Sequence, residues 1–154
     1  MSATITVNNG MNTSDKEIEN LSKDLSQEER DAAHLKILDK YELCLSNGSF
    51  TEIFEMLGYE INAIQIMLGQ FSIDMPCDYE CTIEDVELEI FKEKVENLLA
   101  IVEKNPEQFK TITTKATFSG GATMYTPGKN PEYYIRTLNK ILSLANNTDK
   151  LIVY

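Results

Sequence analysis

The residues best suited to metal chemistry are three cysteines and one histidine. A four-ligand zinc site could draw on all four of them: Cys77, Cys81, Cys44 and His34. The spacing of Cys77 and Cys81 differs from the two-residue knuckle of common zinc sites. Asp78 and Glu80 lie between them, and their negative charges should raise the thiol pKa values and disfavour the thiolate form. We therefore predict inert cysteines, no metal and no cofactor, with a small zinc-binding protein that uses Cys77 and Cys81 as an alternative.

No combination of a nucleophile, a base and an acid can be recognised in the chain. His34 is the only histidine, and on the apolar side of a helix it is expected to be a satisfied core residue. The glycine-rich segment Thr117–Gly121 lacks the Gly-Lys-Ser/Thr ending of a phosphate-binding loop, and a hairpin turn explains it better. The chain is therefore predicted not to be an enzyme, and no catalytic residue is assigned.

Carboxylates are concentrated between residues 78 and 96. They lack the alternating ligand spacing of a calcium loop. We predict that they form an acidic face that steers and holds a basic protein surface: Asp78, Glu80, Glu84, Asp85, Glu87, Glu89, Glu93 and Glu96. A merely solvated helix face is the alternative. Tyr133 lies beside Arg136 and Lys129 at the start of the last predicted helix, where it is the predicted aromatic anchor for a partner.

The formal net charge of −11 is distributed unevenly along the chain. Residues 1–107 carry 23 acids and 8 bases, a net charge of −15, whereas residues 108–154 carry 2 acids and 6 bases, a net charge of +4. The overall charge disfavours direct binding to nucleic acid, because the phosphates would be repelled. The basic third could cover the acidic two-thirds within the fold, or the acidic face could remain free for a cationic partner.

The stretch from residue 51 to residue 71 is the most apolar part of the chain, and we predict that it forms the central helix. Its apolar side chains cover most of the helix circumference, as in a buried helix. Its three glutamates make it too polar to span a bilayer. Capping signals and apolar periodicity predict three further helices, over residues 27–46, 82–103 and 131–144.

Smaller features complete the predicted fold. Val86 and Ile90 are expected on the inner face of the 82–103 helix. Phe118–Tyr125 is predicted to form a hairpin around two glycines, to which the β-prone residues 151–154 could add. The fold class is therefore α+β and predominantly α, a helical bundle around the 51–71 helix with a small C-terminal β-hairpin.

A chain of 154 residues is expected to form one globular domain, here residues 14–154, after a flexible tail of residues 1–13. Within that tail Thr4–Val7 alternates like a short edge strand, and no side chain is charged. Such a composition resembles the export signals of type III secretion substrates, so a secreted effector or secretion-apparatus component is an alternative. Without a Sec-type signal and with an odd number of cysteines, the chain is expected in the cytoplasm, with signal-peptide-independent export as the alternative.

These features together predict a non-enzymatic acidic module that binds a basic protein and blocks or escorts it. In bulk properties the chain matches bacterial immunity proteins, phage-encoded inhibitors and secretion chaperones. Neither a membrane segment nor direct contact with nucleic acid is predicted. A homodimer is compatible with the sequence.

Overall fold

The computed structural model describes residues 2–60 and 81–154. Within these ranges the chain forms six strands, five α-helices and one 3₁₀ turn: β1 Ser2–Val7, α1 Gly10–Glu19, α2 Gln27–Tyr41, β2 Glu42–Ser46, α3 Asn47–Met56, β3 Cys81–Glu84, α4 Asp85–Lys104, the 3₁₀ turn Pro106–Phe109, β4 Thr114–Thr117, β5 Thr123–Thr126, α5 Pro131–Asn146 and β6 Lys150–Val153. The fold is α+β and mainly helical, which confirms the predicted class.

Four strands form an antiparallel sheet in the order β2-β1-β6-β3. The inner strand β1 lies between partners that are distant in sequence, and Ile5 is opposite both Leu43 of β2 and Val153 of β6. Side chains alternate along a strand, so Ala3, Ile5 and Val7 share one face of β1 and are buried in the core. Strands β1 and β6, which are far apart in the sequence, thus lie side by side in the middle of the sheet.

The prediction of a flexible tail over residues 1–13 is therefore wrong. Residues 2–7 form the inner strand β1, and α1 already begins at Gly10. Gly10 is required for close packing here, because a Cβ atom would lie 2.7 Å from Thr6 Oγ1 and 2.9 Å from Val7 Cγ2. The short alternating pattern was visible in the sequence, but its pairing with β6 near the other end of the chain was not.

Helices α3, α4 and α5 cover one face of the sheet and complete the core. Helix α4 buries a row of residues spaced alternately by three and four, which is the period of one helix face: Leu88, Phe91, Val95, Leu98 and Val102. Helix α5 packs along α4 and buries Tyr134, Leu138 and Ile141. This is the arrangement of an α+β domain, in which helices cover an antiparallel sheet on one side.

The predicted central helix is shorter than expected and lies slightly earlier in the chain. Helix α3 runs from Asn47 to Met56 and buries Phe50, Ile53 and Phe54 completely. It ends before Gly58, whose φ of +92° is not helical. Residues 61–71 of the prediction lie outside the described residues. Among those described, the longest buried helix is α4, so the core is organised by the sheet and the α4–α5 pair.

The predicted 27–46 helix is divided into a helix and a strand. A complete capping box begins α2, with Ser26 Oγ accepting from the Glu29 N–H and the Glu29 carboxylate accepting from the Ser26 N–H. The helix ends at Tyr41, and Glu42–Ser46 forms β2 at one edge of the sheet. Pairing with β1 overrides the helical periodicity of this short segment, which is a tertiary effect.

The predicted hairpin is confirmed as a separate two-stranded sheet made by β4 and β5. Its turn contains Gly121 at φ +81°, a value that favours glycine. The C-terminal segment does not add to the hairpin as suggested, because β6 pairs with β1 and β3 in the larger sheet.

Candidate functional site

The acidic face begins where strand β3 passes directly into helix α4. Glu84 is extended, and Asp85 takes a φ of +51° as the chain turns from strand to helix. Aspartate is one of the few residues other than glycine that enter this left-handed region readily. Asp85 and Glu87 lie in the first turn of α4, where negative charge interacts favourably with the helix dipole. The carboxylates at this end therefore also stabilise the helix that carries them.

We use the name acidic face for the six predicted carboxylates that fall within the described residues. All six are exposed: Glu84, Asp85, Glu87, Glu89, Glu93 and Glu96. They are exposed because the buried apolar row of α4, from Leu88 to Val102, occupies the side of the helix that faces the core. Asp78 and Glu80, the other two residues of the predicted face, lie outside the described residues.

Two apolar side chains lie within the acidic face, contrary to the predicted inner position. Val86 is 71% exposed and Ile90 is 38% exposed. They are four residues apart and therefore adjacent on the helix surface, with Glu89 and Glu93 on one flank and Glu87 on the other. Together with Asn146 of α5 they line a groove of about 420 Å³. The face thus combines an apolar strip with a carboxylate border.

Most of the charge on this face is not neutralised by the fold. Glu89 pairs with Lys92 at 2.9 Å, and Glu84 lies 3.9 Å from Lys150. Within residues 2–60 and 81–154, Glu87, Glu93 and Glu96 have no ion-pair partner. Exposed pairs such as Glu84–Lys150 contribute little to stability and are easily broken. The negative potential of the face is therefore available to an external cation.

The basic C-terminal third does dock on acidic residues, but mainly elsewhere on the molecule. Lys140 pairs with Asp39 at 3.1 Å. Lys129 pairs with Glu52, and Lys110 pairs with Glu107 at 2.9 Å. In the described parts of the chain, Lys150 is the only base of this third that reaches the acidic face. The basic third of the chain thus covers some acidic residues of the other two-thirds, as one alternative proposed. The acidic face remains largely uncovered, as the other alternative proposed.

Tyr59 borders the acidic face on the side of Glu87. Its ring packs against Phe54 and Phe91 and carries Lys94 Nζ 4.3 Å from its centre. Burial raises the pKa of Tyr59 to about 12, and the negative charge of Glu87 adds to the shift. The tyrosine is therefore neutral at ordinary pH. The cation–π contact fixes Lys94 against the protein at this border of the face.

The predicted aromatic anchor Tyr133 does not belong to the same site. It is half-buried at the start of α5, with Lys129 Nζ 5.1 Å from its ring centre. It lines a second groove, of about 570 Å³, together with Cys44 and Arg136. The acidic groove meets α5 at Asn146, thirteen residues further along, which corresponds to about 20 Å of helix. Tyr133 and the acidic face are thus two separate surfaces.

The candidate zinc ligands are not brought together. Cys44 is exposed on β2 and Cys81 is half-buried on β3, and these strands are the two edges of the four-stranded sheet. Three strand spacings separate them, about 14 Å, whereas zinc–sulfur bonds measure about 2.3 Å. Burial also raises the pKa of the Cys81 thiol. Cys77 lies outside the described residues.

His34 also differs from its prediction. It is exposed on α2 rather than packed in the core, because Ile37 is the residue that α2 buries. Among the residues that the structure describes, no group of three or more histidine, cysteine, aspartate or glutamate side chains could hold a metal ion. The feature that sequence reasoning missed is the exposed Val86–Ile90 pair. The one indication of it in the sequence was a second apolar row on the same helix. That row, Leu88, Phe91 and Val95, also has helical spacing and points to the opposite side of the helix from Val86 and Ile90.

Comparison with known proteins gives no relative: no protein-family model, curated protein or solved structure matches the chain. In the portion that the structure covers, no helix combines the length and the apolar character needed to cross a bilayer. A function must therefore be inferred from the arrangement of the chain's own residues.

Proposed function

We propose that the chain is a non-enzymatic acidic protein-binding module that blocks or escorts a basic protein partner. The main observation behind this proposal is the exposure of Val86 and Ile90 on α4 beside Glu87 and Glu93, which have no ion-pair partner within residues 2–60 and 81–154. A helix packed along its whole inner side offers these groups on a rigid support. Rigid presentation lowers the entropy that must be lost on binding.

The chemistry of the face defines the kind of partner. An apolar strip with a carboxylate border fits a protein surface on which an apolar side chain is surrounded by lysines or arginines. The unpaired charges of Glu87, Glu93 and Glu96 would accelerate encounter and orient the partner. The apolar contact with Val86 and Ile90 would then lengthen the lifetime of the complex, since burial of apolar area acts mainly on dissociation.

Covering a basic surface explains why the proposed outcome is blocking or escorting. Immunity proteins, phage-encoded inhibitors and secretion chaperones act in this way, by occupying a surface that the partner needs for another contact. We place this function in the cytoplasm. The free thiols of Cys44 and Cys81 support that assignment, because a reducing compartment keeps cysteines unpaired.

The two alternatives lack an observation of comparable weight. The uncharged N-terminal segment that suggested a secreted effector is used in the fold as β1 and the start of α1, so its composition has a structural explanation. The zinc-binding alternative loses Cys44 and His34 as ligands beside Cys81, because the first lies at the other sheet edge and the second is exposed on α2.

The proposal can be tested by cross-linking followed by equilibrium binding. A photo-reactive amino acid at Val86 should capture a basic protein in the native cell, whereas the same group at Leu35, which is 69% exposed on α2, should not. The captured partner is then purified and titrated over a series of salt concentrations. We expect its affinity to fall as ionic strength rises, because exposed charges are screened.

Matched charge variants separate the acidic face from the net charge. One variant neutralises the unpaired glutamates of the face: Glu87→Gln, Glu93→Gln and Glu96→Gln. Its control removes the same charge from other exposed positions: Glu19→Gln, Glu28→Gln and Glu55→Gln. The first should weaken binding about tenfold, or about 1.4 kcal/mol, and the second much less. Equal effects of the two variants, or an affinity that ignores ionic strength, would refute the proposal.

A further inference from the structure

The β4–β5 hairpin is an exposed arm with an apolar surface. Every residue from Lys110 to Gly128 is exposed, including the eight residues of the two strands. Four large apolar side chains of this arm are solvent-exposed: Ile112, Phe118, Met124 and Tyr125. The hairpin is held at its base by Thr111, whose N–H donates to the Lys129 carbonyl and whose Oγ1 accepts from the Lys129 N–H. An isolated two-stranded sheet is marginally stable in water, so this arm gains most from additional pairing.

The arm is also the part of the molecule that two copies can bring together with least repulsion. The 24 residues from Gln108 to Pro131 contain three lysines and no aspartate or glutamate, whereas the whole chain carries a net charge of −11. Lys110 is paired with Glu107 and Lys129 with Glu52, so the charge of Lys115 is the main one left on the arm. Contact between two copies through most other surfaces would oppose like charges. The hairpin therefore favours a second copy of this chain as its occupant.

The outer edge of β5 is short, but it lacks the charged and proline residues that normally prevent pairing of identical edges. Its sequence, Thr-Met-Tyr-Thr, contains no charge and no proline. The edge of β4 differs, because it carries Lys115 at the position opposite Tyr125. In an antiparallel pair of copies, the β5 edge is thus the permissive edge and the β4 edge is protected by a lysine.

The hydrogen bonds of the hairpin define which main-chain groups remain on the β5 edge. The Phe118 N–H donates to the Ala122 carbonyl at 2.9 Å, so these two residues form a hydrogen-bonded pair. Hydrogen-bonded and non-hydrogen-bonded pairs alternate along an antiparallel ladder. Met124 therefore bonds toward Ala116, while the main-chain groups of Thr123 and Tyr125 point away from β4. They form the open edge.

We propose that two copies of this chain associate through β5 in an antiparallel pair centred on Met124. In this register Thr123 lies opposite the partner's Tyr125 and Tyr125 lies opposite the partner's Thr123, so the outward groups of both copies exchange four main-chain hydrogen bonds. Met124 lies opposite the partner's Met124 at the two-fold axis, in a non-hydrogen-bonded pair where side chains are close. The two hairpins become one four-stranded sheet.

This dimer uses the β5 edge, whereas the proposed function uses the acidic face, so the two proposals are independent. The acidic face lies on α4, so each copy would keep its own face available to a basic partner. Four-residue strands bury far less area than the roughly 1,600 Å² of a standard interface, so the dimer should be weak and dependent on concentration. Its strength should not depend on the carboxylates of the acidic face.

Proline substitutions test the register directly. Tyr125→Pro removes an N–H on the open edge without removing a bond between β4 and β5, because proline is tolerated where the N–H points outward. Lys115→Pro makes the same change at the opposite edge, directly across the hairpin. Sedimentation velocity of the full chain over a concentration series should show dimer formation by the wild type and by Lys115→Pro, and its loss in Tyr125→Pro. A wild type that stays monomeric at every concentration overturns the proposal.

Disulfide trapping gives a second, independent test. In a background with Cys44→Ser, Cys77→Ser and Cys81→Ser, oxidation of Met124→Cys should produce a covalent dimer, because opposed residues of a non-hydrogen-bonded pair have Cα atoms about 4.5 Å apart. Ala116→Cys lies on the same face but one strand further from the axis, about 14 Å from its copy, and should not cross-link. Equal cross-linking of the two variants would overturn the register and, with it, the proposal.

Discussion

Replacing Ile5 by alanine tests the most consequential structural finding, that the N-terminal residues form an inner strand. Ile5 is fully buried and lies between Leu43 of β2 and Val153 of β6. The substitution removes three carbon atoms from the core and leaves the main-chain pairing of β1 unchanged. A flexible tail would tolerate this change without loss of stability.

The expected size of the effect follows from the burial of the side chain. Three lost methyl or methylene groups at about 0.8 kcal/mol each give about 2.4 kcal/mol from transfer alone. A residual cavity adds to this value, because paired strands on both sides limit how far the site can collapse. We expect a loss of about 3 to 4 kcal/mol, a large part of the roughly 5–15 kcal/mol that stabilises a typical domain.

Urea denaturation followed by circular dichroism measures this loss. With an m-value of about 2 kcal/mol/M, the midpoint for Ile5→Ala should fall by about 1.5 to 2 M at an unchanged m-value. Thr4→Ala is the matched control: its side chain lies on the other face of β1, and the main-chain bonds of Thr4 with Tyr154, 2.7 and 3.0 Å long, are retained. The control should lose less than about 1 kcal/mol. Similar losses for the two variants would refute the placement of β1 in the core.

Three further predictions concern other contacts. Raising the pH from 10 to 12 should destabilise the fold, because burial raises the pKa of Tyr59 from 10.0 in the unfolded chain to about 12 in the fold. The stability that comes from the neutral ring is fully present below pH 10 and is lost as the pH rises through 12. Tyr59→Phe should weaken this pH dependence in alkaline unfolding experiments. Ser26→Ala should lower the free energy of unfolding by about 1 kcal/mol through loss of the α2 cap, and Ser143→Ala, at an exposed position within α5, should not. Tyr134→Phe should cost about 1 kcal/mol in urea denaturation, because it removes the 2.6 Å hydrogen bond to Glu52; a neutral result would show that water replaces that donor.

The helix starts and the hairpin turn could be predicted from the sequence because they depend on short-range interactions. The capping box of Ser26 and Glu29 begins α2 at the first residue of the predicted 27–46 helix, and Asn130 caps α5 through the N–H of Tyr133 with Pro131 in the first turn. The hairpin around Gly121 formed for the same reason, since a positive φ is a property of one residue and its neighbours. Such signals depend only on residues a few positions apart.

The candidate site could be predicted from the sequence only in part. Clustered carboxylates predicted an exposed face, and the six of them that can be located are exposed. The inward position expected for Val86 and Ile90 was wrong, because α4 contains two apolar rows and only contact with the sheet and α5 selects Leu88, Phe91 and Val95 as the buried row. Periodicity gives the orientation of side chains around a helix axis, but not which side meets the core.

The fold class and the starts of α2 and α5 could be predicted from the sequence alone, since these follow from composition and from neighbours along the chain. The tertiary structure decided that residues 2–7 are an inner strand, that Glu42–Ser46 leave the helical pattern, and that Cys44 and Cys81 lie at opposite sheet edges. The physical reason is the same in each case. Strand pairing joins residues far apart in the chain, and its free energy comes from partners that no local pattern contains.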